Sequence, residues 1–421
     1  MVKIDLTVLI LAKNEAKNIA PVIVDVRDII NSLKISGEIV VVDGNSHDDT
    51  YNVAQQAGAK VIVQSKSGFG NALREGFGAS KGEYILTMDA DLSHHPLFIH
   101  KMWAHRKEAA VIIGSRYVAG GRADMPLWRM FLSKILNYFY ASGLAIPIKD
   151  MSSNYRIYKA DRIKELQLEG KSFDIIQEIL VKIYISGYTA KEVPIYYRPR
   201  KNGVSNARVI PFGIQLIIMF LRLWRMRKSI LSADYDEMAY FSKIPFQRYW
   251  QRKRLGIIMN YSINIPFVLD AGCGSSMILR SHPNIVGLDI SLPKLLYMRK
   301  YSIPLLQGSI YTLPFKSQVF DGVICSEVVE HISNRDNWLQ ELKRVIKPKG
   351  YLILGTPDYG RIWWPIIEQF YKLFLPRGYA DEHISQYNFT ELKELLIKEN
   401  FEILSYEYIL GAELIICARL K

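Results

Sequence analysis

The sequence predicts two α/β domains in tandem, each a largely parallel sheet with helices on both faces. Short β-branched apolar runs alternate with longer stretches of helical periodicity, and the alternation starts afresh in the second half. A chain of 421 residues also exceeds what one hydrophobic core ordinarily holds. Charge divides the same way: residues 1–232 carry 32 Lys/Arg against 21 Asp/Glu, whereas 233–421 carry 22 against 20. We place the boundary near Ser232, giving domains 1–232 and 233–421.

In the first domain, Leu6–Leu11, Glu38–Val42, Ala59–Val63, Tyr84–Met88 and Ala110–Ile113 read as buried strands, because near-continuous apolar runs belong to sheets covered on both faces. The second series is Phe267–Leu269, Ile285–Leu288, Gly322–Cys325, Tyr351–Gly355, Phe401–Tyr408 and Glu413–Arg419. The cysteines, Cys273, Cys325 and Cys417, are too few and too scattered for a disulfide framework or a zinc site, which suits a reducing cytosol.

Chemistry-bearing residues gather where strands end, the edge at which open α/β sheets bind ligands. The first strand runs into Ala12-Lys13-Asn14-Glu15 and the second into Asp43-Gly44-Asn45-Ser46. A carboxylate there can accept from a base or ribose, although Asp48 and Thr50 read as capping residues of the next helix. The fourth strand ends in Asp89-Ala90-Asp91, two carboxylates on a turning chain that can face one hard cation, Mg²⁺ or Mn²⁺, bridging them to a diphosphate.

With Leu11–Glu15, Val41–Thr50, Ser67–Gly82, Met88–Pro96, Gly114–Tyr117, Gly120-Gly121, Trp128–Ser133, Asp150–Arg156 and Arg200–Asn206, these segments make residues 6–206 resemble the inverting family 2 glycosyltransferases of GT-A fold. That family includes the dolichyl-phosphate mannosyltransferases and related polyprenyl-phosphate glycosyltransferases. The resemblance implies that Glu15 and Asp43 contact the base and ribose of a GDP- or UDP-sugar, with Gly68 and Gly70 leaving room for it. It further implies that Asp89, Ala90 and Asp91 hold metal and diphosphate, that Arg116, Arg129 and Ser133 bind the phosphate of a polyprenyl (dolichyl-type) acceptor, and that Arg200 and Ser205 close over the donor. An anionic acceptor needs positioning rather than a base. A hydroxyl acceptor needs a carboxylate base, for which Asp150 is the candidate; otherwise Asp150 supports Arg156. Leu11, Lys13 and Asn206 depart from the mannosyltransferase pattern and leave the donor open.

In the second half, Val268–Ser275 places Gly272 and Gly274 in a tight turn after a strand, and Asp289 ends the next strand about twenty residues on, the spacing that suits ribose hydroxyls. Together with Gln307–Ile310, Leu313–Phe315, Phe320–Glu327 and Leu342–Gly350, the region Tyr235–Lys421 resembles class I S-adenosylmethionine-dependent methyltransferases of the ubiquinone-biosynthesis type. That implies a Rossmann-like fold in which Asp270, Gly272 and Gly274 surround the methionine part, Asp289 the ribose, and Ser309 and Ile310 the adenine. His331, just after the fourth strand, is the candidate general base, and His383 a candidate substrate contact; either can equally be a structural histidine. Ser309 and Ser276 stand where the family carries Asp and Gly, which motivates the alternative that this domain is a non-catalytic binding module.

Between Val193 and Ala233 there are eight Arg/Lys and no carboxylate. The longest uncharged apolar stretches, Ile135–Ile148 and Val209–Leu221, fall short of the ~20 residues that cross a bilayer. Interfacial amphipathic helices are expected near 128–146 and 209–229. In the latter, Gln215, Arg222, Arg225 and Ser229 form a polar stripe with Phe212, Leu216, Phe220, Leu223 and Trp224 elsewhere, as in a helix lying in a membrane interface; a buried helix with a basic end reads similarly. With no secretory signal in Met1–Leu11, the expectation is a cytoplasmic protein attached peripherally to the cytoplasmic membrane face. The nearly neutral second domain offers no basic stripe for nucleic acid. The aromatic insert Arg361–Tyr379 is a lid, a lipid-facing surface or an interdomain contact.

Overall fold

The computed structural model describes residues 3–198, 209–332, 337–374 and 383–421, with the backbone alone described at 209–216 and 370–374. It divides into two compact units, residues 1–184 with 188–227, and residues 185–187 with 228–421.

The first unit contains β1 (Leu6–Ala12), β2 (Gly37–Asp43), β3 (Lys60–Val63), β4 (Tyr84–Asp89), β5 (Val111–Ser115), β6 (Arg122–Ala123), β7 (Arg156–Lys159), β8 (Ala190–Pro194) and β9 (Tyr196–Tyr197). Its main sheet runs β3-β2-β1-β4-β7-β5-β8. All pairs are parallel except those of β7, which lies antiparallel between β4 and β5. Leu6, Val8 and Ile10 of β1 share a core with Val22, Ile23 and Val26 of helix Ile19–Ser32, so alternate side chains of a fully buried strand are claimed by one helical layer. This is the GT-A-like arrangement that the sequence leads one to expect, with an unforeseen reversed strand in the middle.

The second unit contains β10 (Val268–Ala271), β11 (Ile285–Asp289), β12 (Leu305–Gln307), β13 (Phe320–Ser326), β14 (Ile346–Pro357), β15 (Phe401–Ile409) and β16 (Glu413–Leu420). The order is β12-β11-β10-β13-β14-β16-β15, with only β16 antiparallel to its neighbours. The strand order reverses at β10, and there the chain turns through Gly272 and Gly274, as in other doubly wound sheets. The three cysteines are buried and free.

The two amphipathic segments both fold as helices, Leu127–Leu144 and Val209–Arg227. In the second, the outward residues differ from the expected stripe. Leu223 is buried, Ser229 lies buried beyond the helix end, and Arg222 is drawn to Glu169 (2.6 Å) and Glu178, while Ile217, Ile218 and Leu221 face out. Phe212, Gln215 and Leu216 lie among side chains outside the described set. The insert Arg361–Tyr379 yields helix Trp363–Phe374, whose Trp364 is buried against Trp250 and His383.

Candidate functional site

Register alone assembles the first group of residues. Ala12 of β1 is paired with Asp43 of β2, and Leu11 with Asp89 of β4, so three strands deliver Glu15, Asp43, Asp89 and Asp91 to one sheet edge. Strands lie about 4.8 Å apart, which puts the two outer carboxylates about two strand spacings from each other. The loop after β2 is clasped to the loop after β1: Glu15 N–H donates to Thr50 Oγ1 (2.8 Å), Ala16 N–H to Asp48 (3.1 Å) and Asn14 N–H to Ser46 Oγ (2.8 Å). Asp48 and Thr50 thus tie two ligand-edge loops together rather than simply capping a helix. Asp43 is buried and accepts from Ser46. Asn18 donates to Glu15 at 2.6 Å.

Asp89 is part-buried and takes Asn154 Nδ2 at 3.2 Å. Ala90 and Asp91 are buried, and Asp91 accepts the Ser93 N–H at 3.0 Å through a turn in which Leu92 has φ 61°. Two carboxylates at a strand end supply the oxygen ligands that a hard divalent cation requires.

Gly68 and Gly70, at the start of helix Phe69–Ala79, are packed tightly against the chain. A Cβ on Gly68 would stand 2.7 Å from the Lys171 carbonyl oxygen, and one on Gly70 2.1 Å from that of Gly170. Their bareness is consumed by the chain at 170–171, which also accepts the Gly70 N–H at 3.1 Å. Close backbone packing by itself requires glycine at both positions.

A second network links the acceptor candidates. Arg116 donates bidentately to Asp150 (2.8 and 2.6 Å) and to Ser152 Oγ (2.8 Å); Asn137 joins Ser152 to Ser133, which accepts the Tyr117 hydroxyl at 2.7 Å. Arg129 is exposed one turn ahead of Ser133 on the same helix face. Burial pushes the Asp150 carboxyl up, but the Arg116 guanidinium overrides this and holds it below the ordinary carboxylate range. Asp150 therefore hydrogen-bonds Arg116, while it supports Arg156 through charge alone, the Arg156 guanidinium donating to the carbonyls of Met151 and Ile176. Removing one partner of such a buried pair strands the other charge, so Asp150→Ala is expected to cost about 3–5 kcal/mol, read as a lowered urea midpoint. Arg200 and Ser205 lie outside the described residues. Buried His94, within the Met88–Pro96 segment, packs on Tyr155 and Tyr197; burial, then Arg116, lowers its pKa to about 4.

In the second unit a cavity of about 700 Å³ is lined by Asp270, Gly272, Gly274, Asp289, Ser309, Ile310 and His331. Gly272 (φ 82°) faces Val328, and Gly274 (φ 53°) faces Asp236, with any Cβ pressed to 2.3 and 2.7 Å respectively. Asp289 accepts the N–H groups of Gly274 and Ser291, both at 2.7 Å. Buried Asp270 has an oxygen with no hydrogen-bond partner among the described residues. Burial, then the charges of Asp289 and Asp236, raise its pKa to about 8. A cationic ligand fits such a wall: its charge would meet the carboxylates that now repel one another.

Sequence reasoning missed Asp236, Lys294 and Arg254 on this cavity, because none belongs to a local motif. Arg254 joins Glu413 (2.5 Å) and Glu327 (2.9 Å), which follows β13 with φ 58°. His331 sits on the one-turn helix Val329–His331, its ring centroid 5.1 Å from that of His383.

Comparison with known proteins agrees with both halves. The model for glycosyl transferase family 2 matches residues 7–166, and that for a methyltransferase domain matches residues 269–354. Glycosyltransferase AglJ of Haloferax volcanii is 31% identical over 235 residues, 55% of this chain and 74% of that protein. A dolichol-phosphate mannosyltransferase of Pyrococcus furiosus is 31% identical over 247 residues, 56% of this chain and 67% of that protein. Among solved structures, glucosyl-3-phosphoglycerate synthase from Mycobacterium tuberculosis, in complex with Mn²⁺, UDP and glucosyl-3-phosphoglycerate, matches at 18% identity and TM-score 0.43, over 52% of this chain and 79% of that one.

Proposed function

The chain belongs to glycosyl transferase family 2 and carries a methyltransferase domain behind it, and on that premise we propose a bifunctional enzyme. Its first unit transfers a sugar from a nucleotide-sugar to a polyprenyl phosphate with inversion; its second methylates a glycan or lipid-linked small molecule.

The observation that carries the first half is the locked Asp150. A hydroxyl acceptor would need a free carboxylate base, and the candidate is instead held ionised against Arg116 in a buried pair. A phosphate acceptor arrives already anionic. Arg129 and Ser133, on the helix that carries the exposed apolar stripe, suit its head group, with Arg116 behind them. Asp89 and Asp91 would hold Mg²⁺ or Mn²⁺, which when bound takes up charge on the departing diphosphate. Glu15 and Asp43 orient base and ribose. Polyprenyl phosphate incubated with radiolabelled GDP- and UDP-sugars tests this: a labelled lipid-phosphate sugar is expected, and no lipid product with any donor sinks the reading.

The tail of such an acceptor argues for a membrane surface. Leu127, Trp128, Phe131, Leu132, Ile135, Tyr138 and Phe139 form one outward stripe at helical spacing, with Trp128 69% and Tyr138 75% exposed. Among the described residues no helix is long and apolar enough to cross a membrane. Replacing Trp128, Phe131 and Tyr138 together by Ser is expected to weaken partitioning onto anionic vesicles by at least ~10-fold, since losing the burial of even one ring, about 1.5–3 kcal/mol, is worth that much; co-sedimentation measures it.

For the second unit, Asp270, Gly272 and Gly274 would flank the methionine part of S-adenosylmethionine, Asp289 the ribose, and Ser309 and Ile310 the adenine. Bound there, the cofactor supplies a methyl group on a cationic sulfur. The lone buried oxygen of Asp270 and the size of the cavity favour binding over an empty scaffold. Calorimetry that finds no affinity for the cofactor would return the unit to a binding-module role.

A further inference from the structure

The geometry points to a transition-metal site in the second unit, made by Glu330, His331 and His383. Each offers a ligand atom, and these atoms all lie within 4.8 Å of one another. Nitrogen and oxygen ligands stand about 2.0–2.2 Å from such an ion, so two donors across one metal are at most about 4.4 Å apart and small side-chain rotations close the set.

The fold builds this cluster from distant chain. Glu330 and His331 are successive residues of the turn after β13. Residues 384 and 385 are stitched to it, Ile384 N–H and Ser385 N–H both donating to the Glu330 carbonyl, at 2.8 and 3.0 Å. Ser385 Oγ also donates to the Ile332 carbonyl. That double tie fixes His383 beside the turn.

Three features suit a metal rather than a chance grouping. Glu330 is completely buried; one carboxyl oxygen accepts the Thr356 hydroxyl at 3.1 Å, and the other has no hydrogen-bond partner among the described residues. A buried oxygen in that condition is costly unless something positive meets it. His383 is held at Nδ1 by the Tyr359 hydroxyl, 2.6 Å away, and its ring is stacked on Trp364. Metal-binding imidazoles characteristically carry such an outer restraint on the nitrogen opposite the ion. The donors, two imidazoles and one carboxylate, select Zn²⁺, Co²⁺, Fe²⁺ or a similar ion over Mg²⁺ and Ca²⁺, which prefer oxygen throughout.

His331 also lines the 700 Å³ cavity, so the ion would sit at its wall with coordination positions left to an incoming oxygen. A hydroxyl of the methyl acceptor is the ligand of the right chemistry. That role rests on the methyltransferase reading; the metal site itself does not.

Co²⁺ makes the test optical. The full chain carrying Asp91→Ala, which removes the other candidate cation site, is freed of any histidine tag and titrated with CoCl₂ without S-adenosylmethionine. One equivalent with visible d–d absorption is expected. His331→Gln and His383→Gln should each abolish the band, and Tyr359→Phe should weaken affinity 10–100-fold. Circular dichroism and thermal melting certify that each variant is folded. No band in the Asp91→Ala protein, or an undiminished band in both folded histidine variants, overturns the site. Cofactor binding measured separately, without metal, shows whether the methyltransferase reading stands or falls on its own.

Discussion

Sugar transfer is expected to fall by on the order of 10³-fold in Asp91→Asn, with the protein still folded and its affinity for S-adenosylmethionine unchanged. Metal stabilisation of charge on a leaving diphosphate contributes several kcal/mol, and each 1.36 kcal/mol is a factor of ten in rate. Asn keeps the volume of this buried side chain and an oxygen for the Ser93 N–H, so the Asp91–Ser93 turn has no reason to open. What disappears is the charge that holds the ion. Asp91→Ala should lose at least as much rate, and excess Mn²⁺ should recover part of the loss in the Asn variant but not in the Ala variant. A near-normal rate in Asp91→Asn at ordinary Mn²⁺ would remove the metal-clamp proposal. Loss of cofactor binding along with transfer would mean that the substitution had damaged the fold.

The edges of both sheets were legible because β1, β2, β4, β10, β11 and β13 are continuous apolar runs ending in short polar turns, and register then carries those turns to one edge. β7 was not legible: Arg-Ile-Tyr-Lys is four residues long with a cation at each end, and its reversal comes from the segments that flank it. Side-chain partnership was hardest to read. Asp150 reads as a partner for Arg156, six residues on; the two do act on each other through charge, but the Arg156 hydrogen bonds go to the carbonyls of Met151 and Ile176 while Arg116, 34 residues back, takes both carboxyl oxygens. The same limit hid Arg254, which meets Glu413 at a separation of 159 residues, and the tie between Glu330 and the segment after His383. At Gly68 and Gly70 the sequence shows a glycine-rich turn but not the carbonyls some hundred residues away against which a Cβ would be pressed.

Binding of S-adenosylmethionine at pH 7 is expected to release protons, and its affinity to rise with pH until about pH 8. Buried Asp270, with Asp289 and Asp236 near it, has its pKa raised to about 8, so it is largely protonated in the ligand-free protein at neutral pH. A cationic ligand beside it reverses the preference, and the proton leaves as the ligand enters. Calorimetry in two buffers of different ionisation enthalpy reads the released fraction. The ligand-free fold should show the complementary trend. A carboxyl that binds its proton more tightly when folded contributes most stability below the ordinary carboxylate value near 4. That contribution drains as pH rises toward about 8, a loss on the order of a few kcal/mol. Asp270→Asn removes the titration at nearly constant shape. Its melting temperature should match or exceed that of the unsubstituted protein at pH 8, while its cofactor affinity is at least tenfold weaker and flat with pH. An affinity in Asp270→Asn that still climbs between pH 6 and pH 8 as steeply as before would assign the linked proton to another group and take Asp270 out of the cofactor's electrostatic surroundings.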